Sequence, residues 1–176
     1  VRSKIPNSCY AYHSMTRLTV PPPHSTFDAV MDDGAVIRLR RHGNLSGPRI
    51  VVSHGNGLAI NGYLLYWGLL AETFDVVVFD FRNCGENPVH DGAHGYDRFF
   101  ADFDTVYDAI DAAFGKKPQI GAFHSMSSRA NLKYALDGNR RFDGLIVFDP
   151  PMVPPKGHPL QDHLDSEEKV LRRWAQ

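Results

Sequence analysis

The chain has 176 residues, 43% hydrophobic and 22% charged, enough to bury one ordinary globular core and too apolar for disorder or a collagen-like repeat. Nineteen Lys plus Arg face twenty Asp plus Glu, a formal charge of −1 without a long basic run, so nucleic-acid binding has no electrostatic support. Cys9 and Cys84 are too few for a disulfide framework, and apolar runs such as 76–79 fall far below the roughly 20 residues that span a bilayer, so the chain reads as soluble and cytoplasmic, with no membrane partner.

Two proline-rich stretches, Pro21-Pro22-Pro23 and the segment from Pro150 to Pro159, divide the chain into an N-terminal extension (1–25), a core (26–150) and the start of a cap or linker (151–176). Thr26 to Val30 and Ala35 to Arg40 flank Asp32-Asp33-Gly34, a turn sequence suited to positive φ, which predicts a β-hairpin. Ile50 to Val52 is short, β-branched and apolar, as a buried strand requires. A helix fits Ile60 to Ala71, with Ile60, Leu64, Trp67 and Leu70 on one face. Val76 to Phe79 is the next strand. From Asp97 to Phe114 the residues Phe99, Phe103, Val106, Ile110 and Phe114 recur at helical spacing, with Gly115 placed as the C-terminal cap. Ile120 to Phe123 and Leu145 to Phe148 read as further strands, separated by a helix from Met126 to Leu136. A last helix, capped by Asp165 and Glu168, runs to Gln176 without a stop signal, so a continuation or a second chain is expected. Strands alternating with helical segments give an α/β class, a mostly parallel sheet with helices on both faces.

Three loops directly after predicted strands hold the unusual residues: Ser53-His54-Gly55-Asn56-Gly57, Asp80-Phe81-Arg82-Asn83-Cys84-Gly85, and Phe123-His124-Ser125-Met126-Ser127. In an open α/β sheet, ligands bind at the carboxyl ends of the strands. The three motifs, in this order and on these elements, resemble the α/β-hydrolase superfamily over about residues 26 to 150. The resemblance implies an α/β-hydrolase fold, incomplete at its C-terminus, and aligns 123–127 with the G-x-S-x-G nucleophile elbow. Both glycine positions differ: Phe123 needs neighbours that make room, and Ser127 is small enough for the helix to approach the strand. Ser125 is the implied nucleophile, against the reading of an ordinary N-capping serine. Ser127 is a second candidate, disfavoured because Arg129 would then take the position that wants a small residue.

The same resemblance places the oxyanion hole at the backbone N–H groups of Asn56, or Gly57, and Met126. It gives His54 a role in shaping that loop, and places His54, Gly55, Gly57 and His124 around a substrate. Asp149 is a candidate triad acid, and equally a turn-starting Asp before two prolines. His158 and His163 lie where a cap begins, so the base histidine is expected beyond this chain, in the C-terminal portion or second chain that completes the fold. His90 and His94 are four apart among prolines and glycines that argue against a helix, so they read as loop residues. The implied function is a serine hydrolase cleaving a carboxylic ester, lactone or related acyl bond, with no cofactor and no metal. Trp67, Phe81 and Met152 point to an apolar small-molecule acyl substrate. A non-catalytic small-molecule-binding protein on the same fold is the alternative.

Overall fold

The computed structural model describes residues 19–93, 95–139 and 141–152. Among them, six strands, β1 (Ser25–Val30), β2 (Val36–Gly43), β3 (Arg49–Ser53), β4 (Asp75–Phe79), β5 (Gln119–His124) and β6 (Gly144–Phe148), form one sheet in the order β1-β2-β4-β3-β5-β6. The hairpin β1-β2 is antiparallel and joins β4 antiparallel, whereas β4, β3, β5 and β6 all run parallel. The α/β expectation and the mostly parallel sheet therefore hold, as do the predicted strands to within a few residues at their ends.

Strand periodicity sorts the core into two layers. Val51, Val77, Phe79 and Phe123 face one side and pack on Phe99, Phe103, Val106, Tyr107 and Ile110 of α2 (Tyr96–Phe114) and on Ala130 and Tyr134 of α3 (Met126–Leu136). Ile50, Val52, Val76, Val78 and Ala122 face the other, against Ile60 and against Trp67 of α1 (Leu64–Leu70). Covered on both faces, β3 and β4 read as continuous apolar runs, which is why they stand out in the sequence.

One helix boundary differs from expectation. The helix expected from Ile60 opens instead as a 3-10 turn, Ile60–Tyr63, before α1 begins. Asn61 and Gly62 are weak helix formers, and the Asn61 amide is drawn sideways between Arg40 and Glu86, at 2.7 and 2.9 Å. The amino ends of β3 and β4 carry buried charge that apolar patterning does not reveal. Asp75, wholly buried, binds Arg41 at 2.6 Å, Lys117 at 2.9 Å and Arg49 at 3.3 Å. Arg49 also donates to the carbonyls of Phe114 and Gly115, each at 2.8 Å, satisfying the end of α2. The predicted helix after Asp165, with His158 and His163, lies outside the described residues.

Candidate active site

The strand β5 enters α3 through Ser125, whose backbone sits at φ 53°, ψ −116°, a region that costs a non-glycine residue of order 1–3 kcal/mol. Such a conformation persists only where its surroundings impose it. Here the Ser125 N–H donates to Phe148 O at 2.8 Å, and the Ser125 carbonyl accepts the Arg129 N–H at 3.1 Å, so β6 and the first turn of α3 clamp the residue from both sides. The hydroxyl makes no capping bond to the helix, so N-capping does not account for a serine at this position. The next residue, Met126, starts α3 with its N–H among the unpaired donors of the first turn.

Neighbours take over the work of the missing elbow glycines. Phe123 is fully buried, and the room for its ring comes from Gly121, two residues earlier on the same face. A Cβ on Gly121 would overlap the edge of that ring and lie 2.8 Å from Leu145 Cδ2. Ser127 is also fully buried. Its hydroxyl accepts the His124 N–H at 3.0 Å and donates to His124 O at 2.9 Å, closing the elbow on itself. The Ser127 hydroxyl is thus engaged and enclosed, away from solvent. Ser128 reinforces the turn by donating to Phe123 O and accepting the Phe148 N–H at 3.2 Å.

Opposite the elbow, the loop after β3 is pinned at three points. His54 is fully buried; its Nε2 accepts the Phe81 N–H at 3.1 Å, which leaves the ring proton on Nδ1, 2.7 Å from Gly55 O. Burial lowers its pKa against the opposing pull of the Gly55 carbonyl and Asp80, so the imidazole is neutral and both its nitrogens are spent on backbone. The His54 ring lies behind the loop and shapes it, the structural role expected of it, and does not line the surface where a substrate contact was also expected. Asp80 Oδ1 accepts the Ile60 N–H at 2.6 Å and fixes the loop's far end. The Gly55 N–H donates to the Tyr63 hydroxyl at 3.1 Å, which in turn lies 2.6 Å from His124 Nδ1. Between these pins, Asn56 and Gly57 are exposed, with Gly57 at φ 70°. Gly55 approaches the elbow so closely that a Cβ there would lie 2.9 Å from His124 Nδ1 and 3.0 Å from Ser125 Cβ.

The Asp-x-Arg-x-x-Gly loop supports this arrangement from beneath. Gly85, at φ 58°, folds over Asp80 so tightly that any side chain would overlap the carboxylate. Arg82 is buried and forked between Asp102 of α2, at 2.6 and 2.7 Å, and Asp33 of the β1-β2 turn, at 2.7 Å. Trp67 and Phe81 are core residues, almost wholly buried, which corrects their expected place against an apolar substrate; Met152 is exposed. His90 lies in a loop, half-buried, with its ring 3.1 Å from Asp33 O. His94 lies outside the described residues.

Asp149 follows β6 directly, beside Ser125, in left-handed backbone at φ 46° and exposed. Its reading as a turn former meets a chemical obstacle, because an Asx-turn needs the N–H two residues on and Pro151 has none. Among the described residues, no hydrogen bond to the Asp149 carboxylate is formed, and no imidazole is bonded to Ser125.

A model of a hydrolase family, described as serine aminopeptidase, S33, matches residues 46–176. The chain belongs to the serine aminopeptidase family of hydrolases. Solved structures agree on the fold. An α/β-hydrolase fold protein from Burkholderia ambifaria is 19% identical, with TM-score 0.62 over 86% of this chain and 53% of that one. An esterase from a Rhodococcus species is 25% identical, with TM-score 0.59 over 70% and 45%. An N-formylmaleamic acid deformylase from Pseudomonas putida is 20% identical, with TM-score 0.63 over 77% and 50%. This serine aminopeptidase family chain thus has the α/β-hydrolase fold and spans about half the length of the structures it matches. No curated protein is a significant match. No helix of the described residues is long and apolar enough to cross a membrane.

Four site residues of this family member escape sequence reasoning: Tyr63, Asp80 as a loop anchor, Gly121 and Ser128. Each acts through a partner distant in sequence or through empty space. Only Asp80 had a signal, its place in a motif with Gly85.

Proposed function

We propose that the chain supplies the nucleophile and the oxyanion hole of a serine hydrolase acting on a carboxylic ester, lactone or related acyl bond. The observation that carries this reading is the backbone of Ser125, held at φ 53° with a hydroxyl that caps nothing, directly facing the loop of Gly55. Structural serines do not require such strain. The Ser125 Oγ attacks the acyl carbon, its proton passing to a base histidine carried by a C-terminal portion or second chain. The carbonyl oxygen becomes an oxyanion held by the N–H groups of Asn56, or Gly57, and Met126. Collapse expels the alcohol, which takes the proton from that histidine. Water then cleaves the acyl-enzyme, the same histidine serving again as base. Asp149, adjacent to Ser125 and lacking a local hydrogen-bond partner, is the proposed orienting acid; a later carboxylate is its competitor. The setting is cytoplasmic, consistent with the free thiol of Cys84.

Turnover of p-nitrophenyl esters of increasing chain length by the full-length protein tests the reading. Ser125→Ala should abolish turnover at unchanged thermal stability. Retained turnover in that variant, or tight binding of an ester by wild type without cleavage, would overturn it, the second in favour of a binding protein.

A further inference from the structure

The two N–H groups proposed to hold the oxyanion belong to loops some seventy residues apart in the chain. Their separation must be fixed to a few tenths of an ångström for the donors to favour a tetrahedral intermediate over the planar ground state. Parallel pairing of β3 with β5 cannot fix it, because the ladder ends at the pair Ser53 and Phe123, short of both loops. Two side-chain hydroxyls reach across at and beyond its end. Ser127 reaches Ser53 O at 3.3 Å, at the level of the last ladder pair. Tyr63 joins the donor loop itself to the elbow.

We propose that Tyr63 is a positioning residue that sets the oxyanion hole, its hydroxyl tying the Gly55 N–H of one loop to His124 Nδ1 of the elbow. This inference rests on the hydrolase reading above. Three observations converge on it. The hydroxyl accepts from Gly55 at 3.1 Å and lies 2.6 Å from His124, so one oxygen joins the residue before Asn56 to the residue before Ser125. Gly55 has no room for a Cβ against His124 Nδ1 and Ser125 Cβ, so the loops are drawn together at the point where Tyr63 bridges them. Tyr63 ends the 3-10 turn whose first N–H, that of Ile60, is fixed by Asp80, so the bridging oxygen stands on an anchored element. The bridge also selects the donor. With the Gly55 N–H consumed by Tyr63, the next one along the exposed stretch, that of Asn56, is the one left for substrate. The Tyr63 oxygen thus accepts the Gly55 N–H while hydrogen-bonded to His124 Nδ1.

A positioning role differs from a packing role in what it changes. Loss of the hydroxyl leaves both donors present but out of register, so the penalty falls on the tetrahedral species more than on the bound ester. In full-length protein, Tyr63→Phe should lower kcat for p-nitrophenyl butyrate by about 10- to 100-fold, short of the roughly 100- to 1,000-fold that follows removal of a donor. KM should stay within about threefold, and the affinity for phenylboronic acid, which mimics the tetrahedral species on serine, should fall in parallel with kcat. His124→Leu removes the far anchor alone and should give a smaller loss of the same kind. The double variant should be no worse than Tyr63→Phe, because both remove one bridge. A kcat within twofold of wild type, or a loss confined to KM with boronate affinity unchanged, would overturn the assignment, as would independent, multiplicative losses in the double variant. Should Tyr63→Phe fail to fold, His124→Leu decides: unchanged kcat and boronate affinity there overturn the proposal. Failure of the hydrolase reading shows separately, as Ser125→Ala turning over at the wild-type rate.

Discussion

Phe123 and Ser127 stand where glycines are expected, and each is tolerated for a local reason that can be tested. Gly121→Ala should destabilise the fold by about 1–3 kcal/mol, the usual cost of overpacking, measured by urea unfolding. Adding Phe123→Leu should recover part of that loss by giving up ring volume; an unaltered midpoint in Gly121→Ala would show that the ring has room elsewhere. The motif residues Ser125 and Gly85 were legible in the sequence because strain and close approach restrict residue type. Gly121 and Tyr63 were not, since an empty space and a hydroxyl bridged to a residue sixty-one positions away leave no local pattern. Asp149 can be decided at this same scale. As the triad acid, Asp149→Asn should leave the protein folded and cut turnover by about 100-fold or more. A variant within about threefold of wild type would move the acid to a later carboxylate.

At the scale of elements, apolar period and glycine punctuation located α2, α3 and the parallel strands. In contrast, the charges that lock these elements together were invisible to patterning. Arg82 joins the loop after β4 to α2 and to the hairpin turn through a planar fork, 2.6 to 2.7 Å from each carboxylate. The interaction holds Asp33 down to a pKa of about 2. Lysine cannot make two such bidentate contacts, so Arg82→Lys should cost about 2–4 kcal/mol by leaving a buried carboxylate half-paired. Urea unfolding measures the loss, and a change below about 0.5 kcal/mol would mean that water replaces the fork. Arg40 shows the same principle nearer the site: buried, it binds Asn61, Glu86 and Asp80, and so turns the start of α1 away from a regular helix. Propensity could flag Asn61 and Gly62 as weak, but not the partner that exploits them.

For the molecule as a whole, buried histidines make stability depend on pH. His42 lies against Trp67, with ring centroids 4.7 Å apart, and burial lowers its pKa from 6.5 to about 4; the His54 pKa is lowered for the same reason. The native state therefore refuses a proton that the unfolded chain accepts. Stability is fully present above about pH 6.5 and falls as pH drops toward 4, where the folded imidazole also titrates; the His42 part amounts to about 2–3 kcal/mol. Thermal unfolding between pH 7 and pH 4.5 should show this decline, and His42→Phe should flatten it. An equal slope in that variant would assign the acid sensitivity elsewhere.

Nucleophilic attack is the proposed use of the strain held at Ser125. Full-length protein treated with a fluorophosphonate and analysed by intact mass and peptide mapping tests it most directly. The expected result is one adduct per chain on Ser125, absent in Ser125→Ala and unmoved to Ser127. An adduct that persists in Ser125→Ala, or a wild-type protein that turns over esters without being labelled, would contradict it.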